Sequence, residues 1–345
     1  MFDHPSFDAH EGVHVFHDAE TGLRAIIAVH SSVLGPAAGG CRMWDYIDGA
    51  AMVTDALRLS QGMSYKNALA GLPLGGGKAV IWGDSQTEKS PELFRAFGRA
   101  VESLDGKYWT AEDVGLSPGD LAAAAEETRF VAGLETGKAA SGDPSPVTAL
   151  GVYRGIVECA KRVFGTDDLS TRRVAVQGVG SVGGGVCKHL AEAGADLVVS
   201  DVNADAVDAV ATATGAAIVP PHEIYDQDVD IFSPNALGAT VNEKTLERMR
   251  AKVIAGGANN QLVTPAMGAA VLEAGMLYAP DYVINGGGII NVAAEISGAY
   301  SRDWVERKLD DLMDTLGDIL DQSLSSGRPT NLIADEIART RIGRA

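Results

Sequence analysis

A glycine-rich turn between an apolar run and a helix-like segment constrains the fold more than any other feature of the sequence. In the stretch VAVQGVGSVGG, Gly178, Gly180 and Gly183 form the pattern G-x-G-x-x-G. A second apolar run, DLVVS, follows and is closed by Asp201, roughly 20 residues after the last of these glycines. Strand, tight turn, helix and strand in this order form a βαβ unit of a parallel sheet. We therefore expect an α/β protein with a Rossmann-type dinucleotide-binding domain.

The residue types in this turn suit a dinucleotide. The first glycine allows the tight turn, the second lets a pyrophosphate approach backbone N–H groups, and the third allows the helix to pack on the strand. The phosphates then lie at the positive N-terminus of a helix that begins near Ser181 and Val182. Asp201 would accept hydrogen bonds from the adenosine ribose and repel a 2′-phosphate, so the sequence favours NAD over NADP.

Composition and charge exclude several other classes of protein. The 345 residues suffice for two domains, and 46 acidic against 28 basic residues give a net charge of −18. Such a charge repels nucleic acid and anionic membranes. The odd number of cysteines, three, is typical of a reducing compartment. The N-terminal residues are not a signal peptide, and no apolar run is long enough to span a bilayer, so we expect a cytoplasmic protein.

Four histidines lie near the start of the chain, at positions 4, 10, 14 and 17. The segment HVFHD reads as a strand, which places His14 and His17 on opposite faces. No carboxylate spacing completes a metal site, so we expect a solvated sheet edge and no metal.

The order of strand-like and helix-like segments indicates two domains. Before the glycine-rich turn these segments alternate, which favours a first α/β domain. The segment TGKAASGDPSP interrupts the pattern. We predict a substrate-binding and catalytic domain over 1–135, joined by a C-terminal helix at about 326–345, and a Rossmann domain over 136–325 with a cleft between them. Among its later segments, DYVINGGGIINVA reads as β-like.

A lysine preceded by three glycines stands out in the first domain. In LPLGGGKAV, the spacing before Lys78 suggests a phosphate loop, but that motif requires a glycine where Leu72 stands and a serine or threonine where Ala79 stands. A phosphate-loop NTPase is therefore rejected. We expect the glycines to leave space for a substrate beside Lys78 and to help exclude water.

Two more charged residues complete a candidate constellation. Burial in a partly apolar cleft near a second cation favours an uncharged amine, so Lys78 would act as a general base. Lys66 would bind a substrate carboxylate, and Asp113, in TAEDVG, would exchange protons with the reacting nitrogen or water. From these residues alone, a solvated helix position for Lys66 and a helix cap for Asp113 stay open.

The motifs together resemble one known family. The segments LGPAAGGCRMW, GMSYKNALAGLPLGGGKAVI, TAEDVG, GVGSVGG, GGANNQL and YAPDYVINGGGIINVA occur in order over roughly 30 to 295 and resemble the Glu/Leu/Phe/Val amino-acid dehydrogenases. The resemblance implies reversible oxidative deamination of an L-amino acid to a 2-oxo acid and ammonia with NAD. It also implies a homo-oligomer, while the charge balance indicates no nucleic-acid or membrane partner. A non-catalytic NAD-binding sensor is the alternative, and it predicts that Lys66, Lys78 or Asp113 would be replaced.

The resemblance assigns roles to further positions. Lys78 matches the base that activates water, Lys66 the carboxylate-binding lysine and Asp113 the proton-transfer aspartate. The resemblance also places several residues beside the substrate, namely Gly39, Gly40 and Asn260. It places others beside the cofactor, namely Thr148, Ala236, Asn259 and Asn285.

Four positions bear on the identity of the amino acid. By the resemblance, the wall of the side-chain pocket consists of apolar residues, namely Ala38, Ala111, Ile289 and Val292. Members that act on glutamate have a lysine at the position of Ala38, so glutamate is disfavoured because its distal carboxylate would be buried unpaired. Ala111 and Val292 resemble leucine-type members, whereas Ala38 resembles phenylalanine-type members. We expect a branched aliphatic substrate, with phenylalanine as the alternative.

Overall fold

The chain forms two compact units. A computed structural model describes residues 1–134, 143–236, 238–298 and 300–344. One unit comprises Met1–Asp143, Ile289–Val305 and Ala338–Ala345, and the other comprises Pro144–Gly288 and Glu306–Ile337. The predicted boundary between residues 135 and 136 lies outside the described residues, and the assignment of a function to each unit stays a prediction.

The first unit is built on a six-stranded mixed sheet. Its strands are β1 (Gly12–Asp18), β2 (Leu23–Ser31), β3 (Ala37–Ala38), β4 (Cys41–Trp44), β5 (Gly75–Trp82) and β6 (Tyr108–Trp109). Its helices are α1 (Gly49–Leu69), α2 (Pro91–Glu102) and α3 (Pro118–Ala125). The strand order is β1-β2-β5-β3-β6, with β4 also paired to β5. Strand β5 runs antiparallel to β2 and parallel to β3 and β4, so it is central to this sheet.

Different helices cover the two faces of this sheet, which explains the apolar sequence of its central strands. Along β2, Ala25 and Ile27 pack with residues of α2, whereas Ile26 and Ala28 pack with residues of α1. Strand β5 alternates in the same way and places Val80 on the α1 side. Both faces of the central strands are therefore apolar, as expected for strands buried on two sides.

The second unit contains a six-stranded parallel sheet. Its strands are β7 (Arg173–Gln177), β8 (Asp196–Ser200), β9 (Ala217–Ile218), β10 (Ile231–Pro234), β11 (Val253–Ile254) and β12 (Leu277–Tyr278). Its helices begin with α4 (Ser145–Phe164), α5 (Ser181–Glu192), α6 (Ala204–Thr214), α7 (Glu243–Leu246), α8 (Met267–Glu273) and α9 (Asp281–Ile284). The remaining helices of the chain are α10 (Gly287–Ile296), α11 (Arg302–Ser326) and α12 (Thr330–Arg341).

The strand order of the second sheet is that of a dinucleotide-binding fold. It reads β12-β11-β10-β7-β8-β9, and all neighbouring pairs are parallel. The order therefore reverses between β7 and β10, and such a reversal is where doubly wound sheets bind ligands. The predicted α/β class with a Rossmann-type domain is confirmed.

Two sequence-based expectations about local structure are wrong. The segment DYVINGGGIINVA is helical, forming α9 and most of α10. Val283, Ile284 and Ile290 are all fully buried, and a segment buried on most sides lacks the periodicity that distinguishes helix from strand. His10, expected to be solvated, is buried, and its Nε2 lies 3.0 Å from the carbonyl of Leu57.

Candidate active site

Lys78 lies in the middle of the buried strand β5. It is only 5% exposed, and strand alternation puts its side chain on the same face as Val80, the face covered by α1. Its Nζ forms an ion pair with Asp113 Oδ2. Lysine is almost never buried without a partner, so this carboxylate accounts for its position in the core.

The backbone around β4 places Asp113 beside this lysine. The amide of Cys41 donates to the carbonyl of Ala111 at 2.8 Å, so the chain after β6 runs beside the start of β4. A Cβ on Gly40 would lie 2.8 Å from the Cβ of Asp113. Glycine at position 40 therefore leaves the room that Asp113 occupies. The alternative role of Asp113 as a helix cap is not needed, because Ser117 forms a capping box with Asp120 at the start of α3.

Asp113 lies between two cations. Burial alone would raise the pKa of its carboxyl group, but the charges of Lys78 and Arg42 outweigh burial and hold that pKa below its ordinary value. The Nε atom of Arg42 lies 3.5 Å from Asp113 Oδ2. Asp113 is therefore an ionised carboxylate near neutral pH, able to accept hydrogen bonds.

Arg42 belongs to the site but was not among the sequence-based candidates. Its NH1 group donates to both carboxylate oxygens of Asp55 in α1, at 3.1 and 3.3 Å, and the hydroxyl of Tyr46 donates to Asp55 at 2.7 Å. A sequence signal did exist. In CRMW an arginine interrupts an otherwise apolar strand two positions after Gly40.

Lys66 lies in the last turn of α1 and is half-buried. The next residue, Asn67, is fully buried, and its Nδ2 donates to the carbonyl of Gly75 at 2.6 Å and to that of Ala38 at 3.4 Å. These bonds attach the end of the helix to β3 and β5. The position of Lys66 relative to the sheet is thus set by its neighbour, and its carboxylate-binding role stays a prediction.

The glycines before Lys78 have a different reason from the one expected. An added Cβ at Gly76 would overlap the backbone nitrogen of Ser64 in α1, and one at Gly77 would lie 2.7 Å from Cδ2 of Tyr108. The space beside them is filled by protein. These glycines let α1 and β6 pack closely on β5, rather than leaving open space for a substrate.

Three of the four predicted pocket residues come together. Ala111 and Val292 are buried in one apolar cluster, against which Ile289 packs. The cluster also contains Ala132, which the sequence did not indicate. Ala38 is buried on β3 but is not part of this cluster.

A polar contact holds this cluster together. The carboxylate of Glu295 in α10 accepts hydrogen bonds from the backbone N–H of Gly133 at 2.9 Å and of Leu134 at 3.4 Å.

Gly39, placed beside the substrate by the family resemblance, is held by a hydrogen bond. Its carbonyl oxygen accepts from the hydroxyl of Tyr108 at 2.6 Å.

The glycine-rich turn has the geometry of a dinucleotide site. Gly178 has φ of 86°, and a Cβ on Gly183 would overlap the carbonyl oxygen of Gly178. A Cβ on Gly178 would also lie 2.6 Å from the backbone nitrogen of Ala236, which follows β10. The turn therefore lies at the point where the strand order reverses. Asp201 Oδ2 accepts a hydrogen bond from Val179 N at 2.7 Å, so this carboxylate is held against the turn.

The N-terminus of α5 is open to a ligand. Gly180 precedes the helix, and an added Cβ there would meet no atom within 4 Å. In the ranges that the structure describes, no side chain caps this helix, and its exposed first residue is Ser181, followed by half-buried Val182. Uncapped backbone N–H groups at a helix N-terminus suit a phosphate.

The asparagines predicted near the cofactor fall into two groups. Asn285 is buried, and its Nδ2 donates to Asn259 Oδ1 at 2.7 Å and to the carbonyl of Gly257 at 3.1 Å. Its Oδ1 is buried and accepts no hydrogen bond from the residues that the structure describes, which leaves an acceptor for a ligand. Asn260 is exposed with φ of 54°. Thr148 donates to the carbonyl of Pro144 within its own helix.

Comparison with known proteins identifies the family. The model for Glu/Leu/Phe/Val dehydrogenase, dimerisation domain, matches residues 10–130, and that for Glutamate/Leucine/Phenylalanine/Valine dehydrogenase matches residues 200–328. Leucine dehydrogenase of Bacillus subtilis (strain 168) is 50% identical over 327 residues, 95% of this chain and 90% of that protein. Phenylalanine dehydrogenase of Bacillus thermotolerans is 44% identical over 338 residues, 96% of this chain and 88% of that protein.

A solved structure agrees with these relatives. The crystal structure of L-tryptophan dehydrogenase from Nostoc punctiforme matches with a TM-score of 0.85 at 41% identity, covering 97% of this chain and 96% of that one. Fold and site define the class as a dinucleotide-dependent amino-acid dehydrogenase, an oxidoreductase. The chain belongs to the Glu/Leu/Phe/Val dehydrogenase family, and the resemblance drawn from the motifs is confirmed.

Two other kinds of feature are absent from the part of the chain that the structure describes. Within 1–134, 143–236, 238–298 and 300–344, no three His, Cys, Asp or Glu side chains are grouped so that they would hold a metal ion. None of the helices in these ranges has the length and apolar character needed to cross a membrane.

Proposed function

We propose that this chain catalyses the NAD-dependent, reversible oxidative deamination of hydrophobic L-amino acids, with leucine, valine and isoleucine preferred. In the oxidative direction an L-amino acid, NAD⁺ and water give the 2-oxo acid, ammonium, NADH and a proton. The observation that carries the proposal is the buried ion pair of Lys78 and Asp113. Asp113 follows Ala111, a member of the apolar cluster, by two positions along the chain.

The residues of the first unit bind the amino acid and move protons. Lys66 binds its carboxylate, because an ammonium on the last turn of a helix presents a mobile positive charge to an anion. Lys78 takes a proton from the water that attacks the imino carbon, and Asp113 exchanges a proton with the departing nitrogen. Gly39 and Gly40 line the bound substrate, and Asn260 contributes a polar contact to it.

The apolar cluster sets the substrate class. Ala111, Ile289 and Val292 offer only hydrocarbon, and Ala38 is the fourth apolar wall residue of the proposed pocket. A glutamate side chain would bury an unpaired carboxylate there, at a cost of several kcal/mol. The relatives named for leucine and for phenylalanine support an apolar side chain in general.

The second unit binds the dinucleotide, and we propose NAD rather than NADP. Gly180, Ser181 and Val182 at the N-terminus of α5 would hold its pyrophosphate, with Ala236 close to the same turn. Asp201 contacts the adenosine ribose, and its negative charge repels a 2′-phosphate. Asn285 and Asn259 offer amide groups to the nicotinamide side, where Thr148 also lies. The bound nicotinamide supplies the hydride acceptor.

A substrate panel tests this function. Purified protein is mixed with NAD or NADP and one of leucine, valine, isoleucine, phenylalanine, tryptophan or glutamate, and the near-ultraviolet absorbance of NAD(P)H is followed. We expect activity with NAD, the highest kcat/KM with a branched-chain amino acid, and none with glutamate. A higher kcat/KM with phenylalanine would replace the leucine proposal by the phenylalanine alternative, and inactivity with every amino acid would refute the function.

We further propose that the chain assembles into a homo-oligomer in the cytoplasm. The match of residues 10–130 to a dimerisation-domain model supports assembly, and three free, buried cysteines suit a reducing compartment. Light scattering coupled to size exclusion tests the assembly, and a mass equal to that of one chain would contradict it.

A further inference from the structure

We propose that Arg42 is a positioning residue for the Lys78–Asp113 pair, holding Asp113 as a carboxylate while the proton of the attacking water goes to Lys78. The inference rests on the function proposed above. It adds to the site a residue that does not touch the substrate, and it assigns a supporting role to Asp55 and Tyr46.

The placement of Arg42 on the sheet directs its side chain to the pair. Strand β4 runs parallel to β5, with Arg42 paired to Val80, while Lys78 lies two residues earlier on β5. Residues paired across neighbouring strands point to the same face, as do residues two apart on one strand. Arg42 and Lys78 therefore rise from the same face, and both reach Asp113 Oδ2.

Asp55 and Tyr46 hold the guanidinium of Arg42 in place. Its NH1 group is held by both oxygens of Asp55, and Asp55 is held in turn by the hydroxyl of Tyr46 at 2.7 Å. Tyr46 is buried, and burial together with Asp55 raises the pKa of its phenol, so it remains a hydrogen-bond donor. This chain of contacts limits the positions that the guanidinium can take, leaving its Nε at the carboxylate of Asp113.

The groups near Asp113 differ in charge. Cys41 and Tyr108 also face Asp113, but burial raises the pKa of both groups, so both are neutral. Asp120 lies farther out and forms an ion pair with Lys89 at 2.6 Å. The charges of Lys78 and Arg42 act directly on Asp113, and Asp55 acts through Arg42.

The proton balance follows from these charges. Although burial opposes it, the carboxylates of Asp113 and Asp55 raise the pKa of Arg42 above its ordinary value, so Arg42 stays charged throughout the reaction. It neither gives nor takes the proton. Its charge lets Asp113 remain ionised without the charge of Lys78, and the amine of Lys78 becomes available to the proton from water.

The experiment compares pH profiles of kcat/KM for leucine in the full-length enzyme. In Arg42→Gln the Lys78–Asp113 pair loses a neighbouring positive charge. Because that charge no longer opposes protonation, the pair stays protonated up to a higher pH. We expect the acidic limb to move up by about 0.5 to 1 pH unit, so that kcat/KM at a fixed pH on that limb falls about three- to tenfold. Arg42→Lys restores the charge without the second donor and returns the limb part of the way to its wild-type position. Arg24→Gln, an exposed arginine on β2 of the same sheet, leaves the profile unchanged.

A second variant distinguishes positioning from general loosening of the fold, and it decides the matter if Arg42→Gln does not fold. In Asp55→Asn the charge of Arg42 is no longer partly neutralised by the carboxylate of Asp55, so Arg42 acts more strongly on Asp113. The acidic limb therefore moves to lower pH, opposite to its movement in Arg42→Gln. An unmoved limb in either variant, or movement of both in the same direction, overturns the inference. A wild type without NAD reduction on any amino acid overturns the proposed function, and this inference with it.

Discussion

Lys78 lies in surroundings that a lysine rarely occupies, because its side chain is only 7% exposed. The glycines before Lys78 made it a candidate in the sequence. Asp113 became a candidate through the motif TAEDVG. Arg42 was missed because its contact with Asp113 depends on the pairing of β4 with β5; the arginine in CRMW marks an unusual position but not that contact. Ala132 was missed for a related reason: alanine in a loop gives no signal until α10 packs against it.

Ala111→Leu tests the substrate pocket at the level of one side chain. Ala111 is buried with Val292 and Ala132, so a larger residue occupies space that the substrate side chain needs. We expect the ratio of kcat/KM for leucine to that for alanine to fall about 10- to 150-fold. The matched control is Ala122→Leu on the exposed face of α3, which should leave the ratio unchanged. An unchanged ratio in Ala111→Leu would remove this cluster from the pocket.

Among the elements, the glycine-rich turn was predictable because its chemistry is local. Strand, turn, helix and strand are consecutive, and the close approaches that require glycine at Gly178 and Gly183 are present in the structure. The helices α9 and α10 were mistaken for β structure because burial on most sides removes the period that a sequence can show. The glycines before Lys78 were recognised as special, but their spacing alone does not show that Ser64 of α1 and Tyr108 of β6 fill the space beside them.

Gly183→Ala tests the turn as an element. The added Cβ overlaps the carbonyl of Gly178, so α5 must move away from the turn and its N-terminus no longer meets the pyrophosphate. We expect the Kd for NAD to rise at least tenfold by calorimetric titration. Gly184→Ala is the matched control, because its Cβ would make only ordinary contacts of 3.4 Å and more. Equal affinities in the two variants would show that close packing at Gly183 does not matter for the cofactor.

At the scale of the whole chain, residues far apart in sequence meet in the first unit. His30 Nδ1 lies 2.7 Å from Ser64 Oγ, and its Nε2 lies 3.2 Å from Asp8 and 2.6 Å from Arg344 NH1. The guanidinium can only donate, so Nε2 accepts and Nδ1 carries the proton of a neutral ring. No local sequence pattern predicts this meeting, because Arg344 lies 314 residues from His30 along the chain.

This histidine gives the fold a pH dependence. Burial, aided by the charges of Arg344 and His10 and opposed by Asp8, lowers the pKa of His30 from 6.5 to about 4. Between these values the unfolded chain binds a proton that the folded chain does not. The free energy of unfolding therefore falls as the pH falls through this window, by up to about 1.4 kcal/mol per pH unit.

Urea unfolding at several pH values checks this expectation. The slope of the free energy of unfolding against pH should decrease in His30→Asn and remain in His222→Asn, whose side chain is 78% exposed. Equal slopes in wild type and His30→Asn would contradict it.

The proposed function depends most on the buried amine of Lys78, which we propose as the base of an amino-acid oxidation. The most direct measurement is the initial rate of NADH formation from leucine and NAD by wild type and by Lys78→Ala, at matched NAD saturation confirmed by titration. We expect steady NADH formation by the wild type and a rate about 10²- to 10⁴-fold lower in the variant, with the Kd for NAD unchanged. A variant that turns over within a factor of about two of the wild type would contradict it.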